Sequence, residues 1–161
     1  MPNIYASDFD SDRGAPEGFR ALRALLGRQA GAERLGLSLW ELPPGETAYP
    51  YHFHLADEEL IVVLEGRPTL RAREGRRELA SGEVVACLSG ERGAHQLSNW
   101  TDEPVRFLSF STSAHPDVVV YPDSQKLDAS ERRSGGWSMR VPCPESGRLD
   151  YWHGEKPPSR P

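Results

Sequence analysis

The chain has 161 residues, with 24 acidic and 19 basic side chains and a net charge of −5. This length suits one domain with a sizeable core, and the negative charge argues against nucleic acid or an anionic membrane surface as a partner. The longest aliphatic run, 60–64, is far too short to span a bilayer, which takes roughly 20 residues. With no export signal and only two distant cysteines, we expect a cytoplasmic protein.

Short strands punctuated by glycine and proline dominate the predicted elements. Residues 17–27 fit either a short helix or an edge strand, and we favour the strand. The segment 35–42 alternates apolar and other residues, as a half-buried strand does. Further strands are predicted at 51–54, 59–64, 69–80 (a hairpin turning near Gly75), 83–88, 95–99 and 105–110. This near-regular spacing indicates a sandwich or a closed barrel.

The chain beyond residue 112 is less regular. Residues 118–121 and 149–152 are β-like, a polar and glycine-rich segment separates them, and 156–161 are expected to be disordered. The aromatic residues of this region need cover, so we expect it to pack outside the main fold or against a second subunit.

Two histidines one residue apart are the most informative feature of the sequence. On a strand, His52 and His54 point to the same face and can direct both imidazoles at one point. Imidazole is the commonest metal ligand in proteins, and a nearby glutamate adds a charged oxygen. Periodicity does not decide between Glu58 and Glu59, because both faces of the strand that follows are apolar.

The spacing of these residues resembles the two motifs of the cupin superfamily. In the first motif, four residues separate His54 from the glutamate and six separate that glutamate from a glycine. In the second motif, three residues separate a histidine from an asparagine. The matching positions are Gly45, His52, His54, Glu59, Gly66, Gly82, His95 and Asn99. The sequence departs from the pattern in having six residues between Gly45 and His52, and Leu88 in place of the usual proline.

The resemblance implies an all-β fold, a single antiparallel jelly-roll barrel (a double-stranded β-helix). It places the barrel at 35–112, between an N-terminal arm of strands at 1–34 and a C-terminal extension at 113–161 with a disordered tail. It further implies that His52, His54, Glu59 and His95 bind one divalent transition metal, either Zn, Fe, Mn or Ni. The motif spacing favours Glu59 over Glu58, and Asn99 is expected to be either a turn residue or a residue that supports the ligands, and not a ligand itself.

Two functions are compatible with this resemblance. The first is a mononuclear metal-dependent enzyme of dioxygenase, isomerase or lyase type that acts on a small polar metabolite. The second is a non-catalytic cupin that binds or senses a metal or a small metabolite. An accessible pocket with a further titratable residue would favour the enzyme, and a pocket plugged by Trp40 or by the C-terminal segment would favour the binder. A metal-free epimerase is disfavoured, because it would leave three histidines crowded without a partner charge. The resemblance also implies a homodimer.

Other side chains are weaker candidates for the site. The residues considered as cavity lining are Ser38, Trp40, Tyr51, Phe53, Arg71, Arg73, Gln96 and Phe107. Arg71 and Arg73 share a strand face and suit a substrate carboxylate, although a solvated hairpin face explains them more simply. His115 and His153 are expected to be solvated.

Overall fold

The fold is built from strands. A computed structural model of the chain describes residues 1–5, 8–11, 15–131 and 138–142. Within them the helix α1 covers Leu26–Gln29, and two 3₁₀ turns cover Glu91–Gly93 and Pro122–Ser124. The strands are β1 Asp10–Ser11, β2 Leu22–Ala24, β3 Gly36–Leu42, β4 Phe53–His54, β5 Glu59–Glu65, β6 Thr69–Ala72, β7 Gly75–Glu78, β8 Val84–Cys87, β9 His95–Ser98, β10 Val105–Ser111, β11 Asp117–Tyr121, β12 Lys126–Ser130 and β13 Ser138–Pro142.

The strands form three antiparallel sheets. The largest has the order β1-β2-β3-β10-β5-β8, the second β13-β12-β11-β4, and the third β7-β6-β9. An isolated bridge between His52 and His95 links the last two. The all-β class predicted from the sequence is confirmed. In the part of the chain described here the sheets do not close into one hydrogen-bonded barrel, so the jelly-roll closure stays a prediction.

The main core lies where the large sheet faces the three-stranded sheet. Alternate residues of β3, β5 and β10 supply one side, and β6 and β9 supply the other. Its most enclosed members are Leu42, Ile61, Val63, Leu79, Leu97, Val105 and Phe107. This core holds the strands that carry the candidate site residues.

A smaller core covers part of the opposite face of the large sheet. Leu39 and Leu108 are paired in register and pack with Leu26 of α1. Val62 and Leu64 also contact this cluster, so β5 packs against a core on each of its two faces, as its continuous apolar sequence suggests. Leu60, at the end of that run, is instead exposed.

The N-terminal segment combines both structures considered for 17–27. Residues Leu22–Ala24 pair with β3 as a strand, and one helical turn follows at once. Gly27 allows that turn to approach the sheet closely, because a Cβ there would lie 2.8 Å from the Leu37 backbone nitrogen. The strand favoured from the sequence is therefore present but ends before the predicted boundary.

The chain after residue 112 contributes to the sheet that carries a site residue. β11 pairs with β4, with Val119 opposite His54 and Val120 opposite Phe53. β12 and β13 extend the same sheet. The predicted strand at 149–152 and the expected disordered tail lie outside the described residues. The division of the chain at residues 34 and 112 stays a prediction.

No helix among the described residues is long and apolar enough to cross a membrane.

Asn99 closes the turn between β9 and β10. Its side-chain amide donates to the carbonyls of Leu42 and Glu103, and its oxygen accepts from both the backbone and the hydroxyl of Thr101. The residue is fully buried. Asn99 is thus a turn residue, one of the two roles expected from the sequence.

We expect Asn99→Ala to lower the free energy of unfolding by about 2–3 kcal/mol, because buried carbonyls lose their donors. Urea denaturation of the purified variant measures this change. Thr101→Val, which removes one hydroxyl from the same network, is the matched control and should cost about 1 kcal/mol. An Asn99→Ala variant as stable as the parent would contradict the assigned role.

Candidate metal centre

Four side chains from three places in the chain meet at one point. His54 lies in β4 and His52 lies just before it. Glu59 is the first residue of β5, and His95 is the first residue of β9. The three histidines are buried. The bridge between His52 and His95 brings two of these segments side by side, so the long-range pairing of the backbone, and not the His-x-His spacing alone, gathers the group.

The distances suit a single metal ion. One ligand atom each from His52, His54 and Glu59 lies within 4.8 Å of the others. The Oε2 atom of Glu59 is 3.7 Å from Nε2 of His54 and 3.1 Å from Nε2 of His95. The ring centroids of His52 and His95 are 4.6 Å apart. A metal with bonds of about 2.0–2.2 Å requires donors roughly 3–4 Å apart, so small side-chain movements complete the set.

Each histidine is oriented through its Nδ1 atom. His52 Nδ1 lies 2.9 Å from the carbonyl oxygen of Pro50, and His95 Nδ1 lies 2.9 Å from that of Gly93. His54 Nδ1 lies 2.6 Å from a carboxylate oxygen of Asp117. These oxygens only accept, so in each ring Nδ1 carries the proton and donates it. A second nitrogen, Nε2, is thereby available as a metal ligand, which is the usual arrangement of metal-binding histidines.

Gly93 positions the carbonyl that His95 uses. A Cβ at this position would collide with the backbone of Leu88, so only glycine lets the 88–93 loop fold back this closely. The same loop is longer than the cupin pattern predicts and lacks its proline. The departure from the motif therefore changes the loop while leaving His95 in place.

The charges of the group are balanced without a metal. Burial, together with the neighbouring histidines, lowers the pKa of His52 to about 3, which keeps this ring neutral. Burial disfavours the Glu59 carboxylate, but the histidines, His95 foremost, lower its pKa to about 2. Burial also disfavours the His95 cation, yet Cys87 and Glu59 raise its pKa to about 10. A bound cation would take the place of the His95 proton beside Glu59.

The two candidate glutamates are separated clearly by the fold. Glu58 is exposed, and its backbone N–H donates to the hydroxyl of Thr112. Glu59 faces the histidines and accepts from the hydroxyl of Ser109 at 3.4 Å. The geometry brings Glu59, and not Glu58, into the group, in agreement with the motif spacing.

A second acidic group supports His54 from behind. His54, Asp57 and Asp117 also lie close enough to hold an ion. However, Asp57 accepts from Thr112 and from the backbone N–H of Ala114. Asp117 accepts a hydrogen bond from His54 with one oxygen and from the backbone N–H of Ala56 with the other. Burial alone would raise the pKa of Asp117, but the hydrogen bonds that it accepts, that from His54 foremost, together lower that pKa. Asp117 therefore fixes His54, whereas Asp57 holds the segment that contains Thr112 and Ala114.

A cavity of about 510 Å³ opens onto the group. His52, His54 and Glu59 form part of its wall, together with polar residues from β3, β10 and the 113–128 region. The other polar lining residues are Arg23, Arg28, Glu33, Ser38, Tyr49, Asp57, Ser109, Ser111, Ser113, His115, Tyr121 and Asp128. Trp40 does not line the cavity and does not plug it.

Of the eight residues considered from the sequence as cavity lining, Ser38 lies in the wall. Arg71 is instead held by Asp123 through two contacts of 2.6 and 2.8 Å, and it stacks 4.0 Å from the ring of Tyr51. A substrate carboxylate would have to displace Asp123. The expectation that His115 is solvated was wrong, because its Nδ1 atom is buried and the residue lines the cavity. His153 lies outside the described residues.

Sequence reasoning missed several wall residues. Ser109 and Ser111 share the strand face of Phe107, so their inward position follows from the period of β10. Tyr49 lies between Gly45 and His52, at a position that the motif does not specify. Asp117 lies 63 residues from His54, and no local pattern connects the two.

Comparison with known proteins agrees with this geometry. The family model of the cupin domain matches residues 38–111. A sugar phosphate isomerase from a cupin superfamily of Silicibacter pomeroyi DSS-3 superposes with a TM-score of 0.74 at 23% identity, covering 87% of this chain and 92% of that one. A protein of Acidithiobacillus ferrooxidans ATCC 23270, provisionally assigned as a sugar phosphate isomerase, gives 0.72 at 28% identity and covers 83% of each chain. The polyketide cyclase RemF of Streptomyces resistomycificus gives a TM-score of 0.58 at 24% identity, covering 69% of this chain and 77% of that one.

The strand content, the two histidine motifs and these matches define a β-fold protein with a cupin domain. Residues 38–111 match a cupin domain, and the fold is similar to that of solved cupin superfamily proteins. No curated protein matches it in sequence.

We expect Asp117→Asn to weaken metal binding by about 10–100-fold, because the amide no longer fixes the proton on Nδ1 of His54. Competition with a chromophoric chelator measures the affinity. Asp128→Asn, which alters another carboxylate of the cavity wall, is the control and should change the affinity less than about threefold. Equal affinities for the Asp117→Asn variant and the parent would show that Asp117 does not support a ligand.

Proposed function

We propose that this cupin jelly roll is a mononuclear metal-dependent enzyme that acts on a small polar metabolite. His52, His54, Glu59 and His95 would hold one divalent transition metal. The observation that carries this proposal is that His52, His54 and Glu59 lie together at the wall of a cavity, with Nε2 of His95 3.1 Å from Oε2 of Glu59 and each imidazole anchored through Nδ1. Four protein ligands leave one or two positions for a substrate, which is typical of reactive metal sites.

The cavity supports the enzyme over the non-catalytic binder. A volume of about 510 Å³ is large enough for a small metabolite. Its wall includes His115, a titratable group whose Nδ1 atom is buried and has no hydrogen-bond partner in the described chain. A group of this kind can accept or donate a proton beside the four ligands. An accessible cavity and a further titratable residue are the features that favour an enzyme over a non-catalytic metal-binding protein.

Sugar phosphate isomerisation is the first reaction to test. The similarity to the Acidithiobacillus ferrooxidans protein, at 28% identity, supports this class. Arg23 and Arg28 line the same cavity as the four-residue group and suit a phosphate. Ser38, Ser109 and Ser111 offer hydroxyl partners for the hydroxyls of a sugar. A metal held at His52 and its neighbours would supply Lewis-acid polarisation of the sugar oxygens.

Within this proposal the protein groups have distinct tasks. The arginines bind the phosphate and orient the sugar chain towards the ligands. The His115 imidazole would take a proton from the carbon next to the carbonyl and return it to the former carbonyl carbon, while the proton of the adjacent hydroxyl moves to the carbonyl oxygen. Asp117 keeps His54 in one orientation throughout, because both of its oxygens are engaged.

A homodimer belongs to the same proposal. Leu60 and Phe110 are paired in register and exposed on the outer face of the large sheet, and Val84 is exposed on the neighbouring edge strand. A patch of this kind on a sheet edge is typical of an interface. Light scattering of the full chain would give twice 17.9 kDa for a dimer.

We expect His52→Gln to reduce the metal content to less than about a tenth of that of the parent protein and to abolish any isomerase activity, because a ligand is removed. Elemental analysis of protein purified without added metal measures the first effect, and an assay with a panel of aldose and ketose phosphates measures the second. His115→Gln is the matched control for metal content, since it changes a histidine of the same cavity that is outside the ligand group.

Equal metal content in the His52→Gln variant and the parent would contradict the ligand assignment. Stoichiometric metal without turnover of any sugar phosphate would favour the non-catalytic binder or a different substrate class.

A further inference from the structure

Tyr49 lies directly against the candidate metal centre. Its ring meets the ring of His52 edge-on, with centroids 4.9 Å apart, and that of His95 with centroids 5.4 Å apart. Trp40 contacts its other side in the same edge-on manner at 5.4 Å. The ring is thus held between two proposed ligands and the core, and it lines the cavity.

The hydroxyl of Tyr49 has no partner within the described chain. The oxygen is buried, yet neither a side chain nor a backbone group is hydrogen-bonded to it. Buried hydroxyls are nearly always bonded, because leaving one unsatisfied costs about 1–3 kcal/mol. Its neighbours Glu59 and Cys87 are close enough to act on it electrostatically, without forming a hydrogen bond with it. The partner of this hydroxyl therefore lies outside the described part of the chain.

The position of the hydroxyl restricts what that partner is. The ring that carries it contacts His52 and His95, and Glu59, Cys87 and Arg23 are close enough to act on the hydroxyl electrostatically. A neutral phenol donates one hydrogen bond to an oxygen, and a carboxylate or sugar oxygen accepts such a bond well. A small molecule bound at the proposed ligands would present an oxygen beside this ring, because Tyr49, His52, His54 and Glu59 line the same cavity.

We propose that the Tyr49 hydroxyl donates a hydrogen bond to an oxygen of the ligand held at His52, His54, Glu59 and His95, and so sets the orientation of that ligand. Tyr49 is then a substrate-positioning residue that recognises oxygen ligands. This role rests on the proposed metal centre but not on the reaction assigned to it. It holds equally for a sugar phosphate and for another oxygen-bearing metabolite.

The test uses cobalt(II) and acetate as probes with the full chain. Cobalt is titrated first, alone, into the parent protein and into Tyr49→Phe. Acetate is then titrated into each cobalt-loaded protein, and the visible absorption of the cobalt reports binding. We expect cobalt affinities within about threefold of each other and acetate binding about tenfold weaker in Tyr49→Phe, because only the hydroxyl is lost. Tyr51→Phe, which changes the tyrosine stacked on Arg71 outside the cavity, should bind both probes like the parent.

Thermal unfolding of the metal-free proteins gives a second readout. Tyr49→Phe removes an unsatisfied hydroxyl and keeps the ring contacts, so its melting temperature should equal or exceed that of the parent. A fall of several degrees would mean that the hydroxyl has a structural partner, and would overturn the proposal.

The remaining outcomes are distinguishable. Failure of the parent to bind cobalt would overturn the metal centre and the role of Tyr49 with it. Equal acetate affinity in the two cobalt-loaded proteins would overturn the role of Tyr49 alone, leaving a buried water as the partner of its hydroxyl.

Discussion

Three hydrogen bonds at the Nδ1 atoms of His52, His54 and His95 determine the candidate site. An unanchored imidazole turns about two side-chain torsions and exchanges tautomers, whereas these rings have one nitrogen fixed and the other directed inward. Two of the acceptors are carbonyls only two residues before their histidine, so the local turn supplies both the ligand and its anchor. The third acceptor, Asp117, comes from a distant strand. The precision of the group therefore depends on local turns and on the pairing of β4 with β11.

The parts of the structure that the sequence predicts are those set by local period and spacing. The strand period places His52 and His54 on one face and indicates β3, whereas β5 is indicated by its continuous apolar run. The motif spacing favours Glu59 over Glu58 as a ligand, and the fold places Glu59 beside the histidines and leaves Glu58 exposed. The all-β class follows from the short strands and frequent turns.

The parts that escaped prediction depend on contacts between distant segments. Arg71 shares a strand face with its neighbours as the period requires, but Asp123, 52 residues later, holds its guanidinium. Tyr49 reaches the histidines only because β9 crosses beside the chain that carries it. The N-terminal segment was ambiguous for a different reason: it forms a strand and then a helical turn within eight residues, Leu22–Gln29, which is too short for a period to show.

The separation of 63 residues between His54 and Asp117 affects how the site is assembled. Contacts between distant positions form late, since closing a long loop costs entropy before the contact repays it. As the ribosome releases the chain, the His-x-His segment emerges well before its supporting carboxylate, and a partly synthesised chain holds an unsupported imidazole. The orientation of His54 is therefore completed only after synthesis has passed β11, when all four residues of the candidate site are already present.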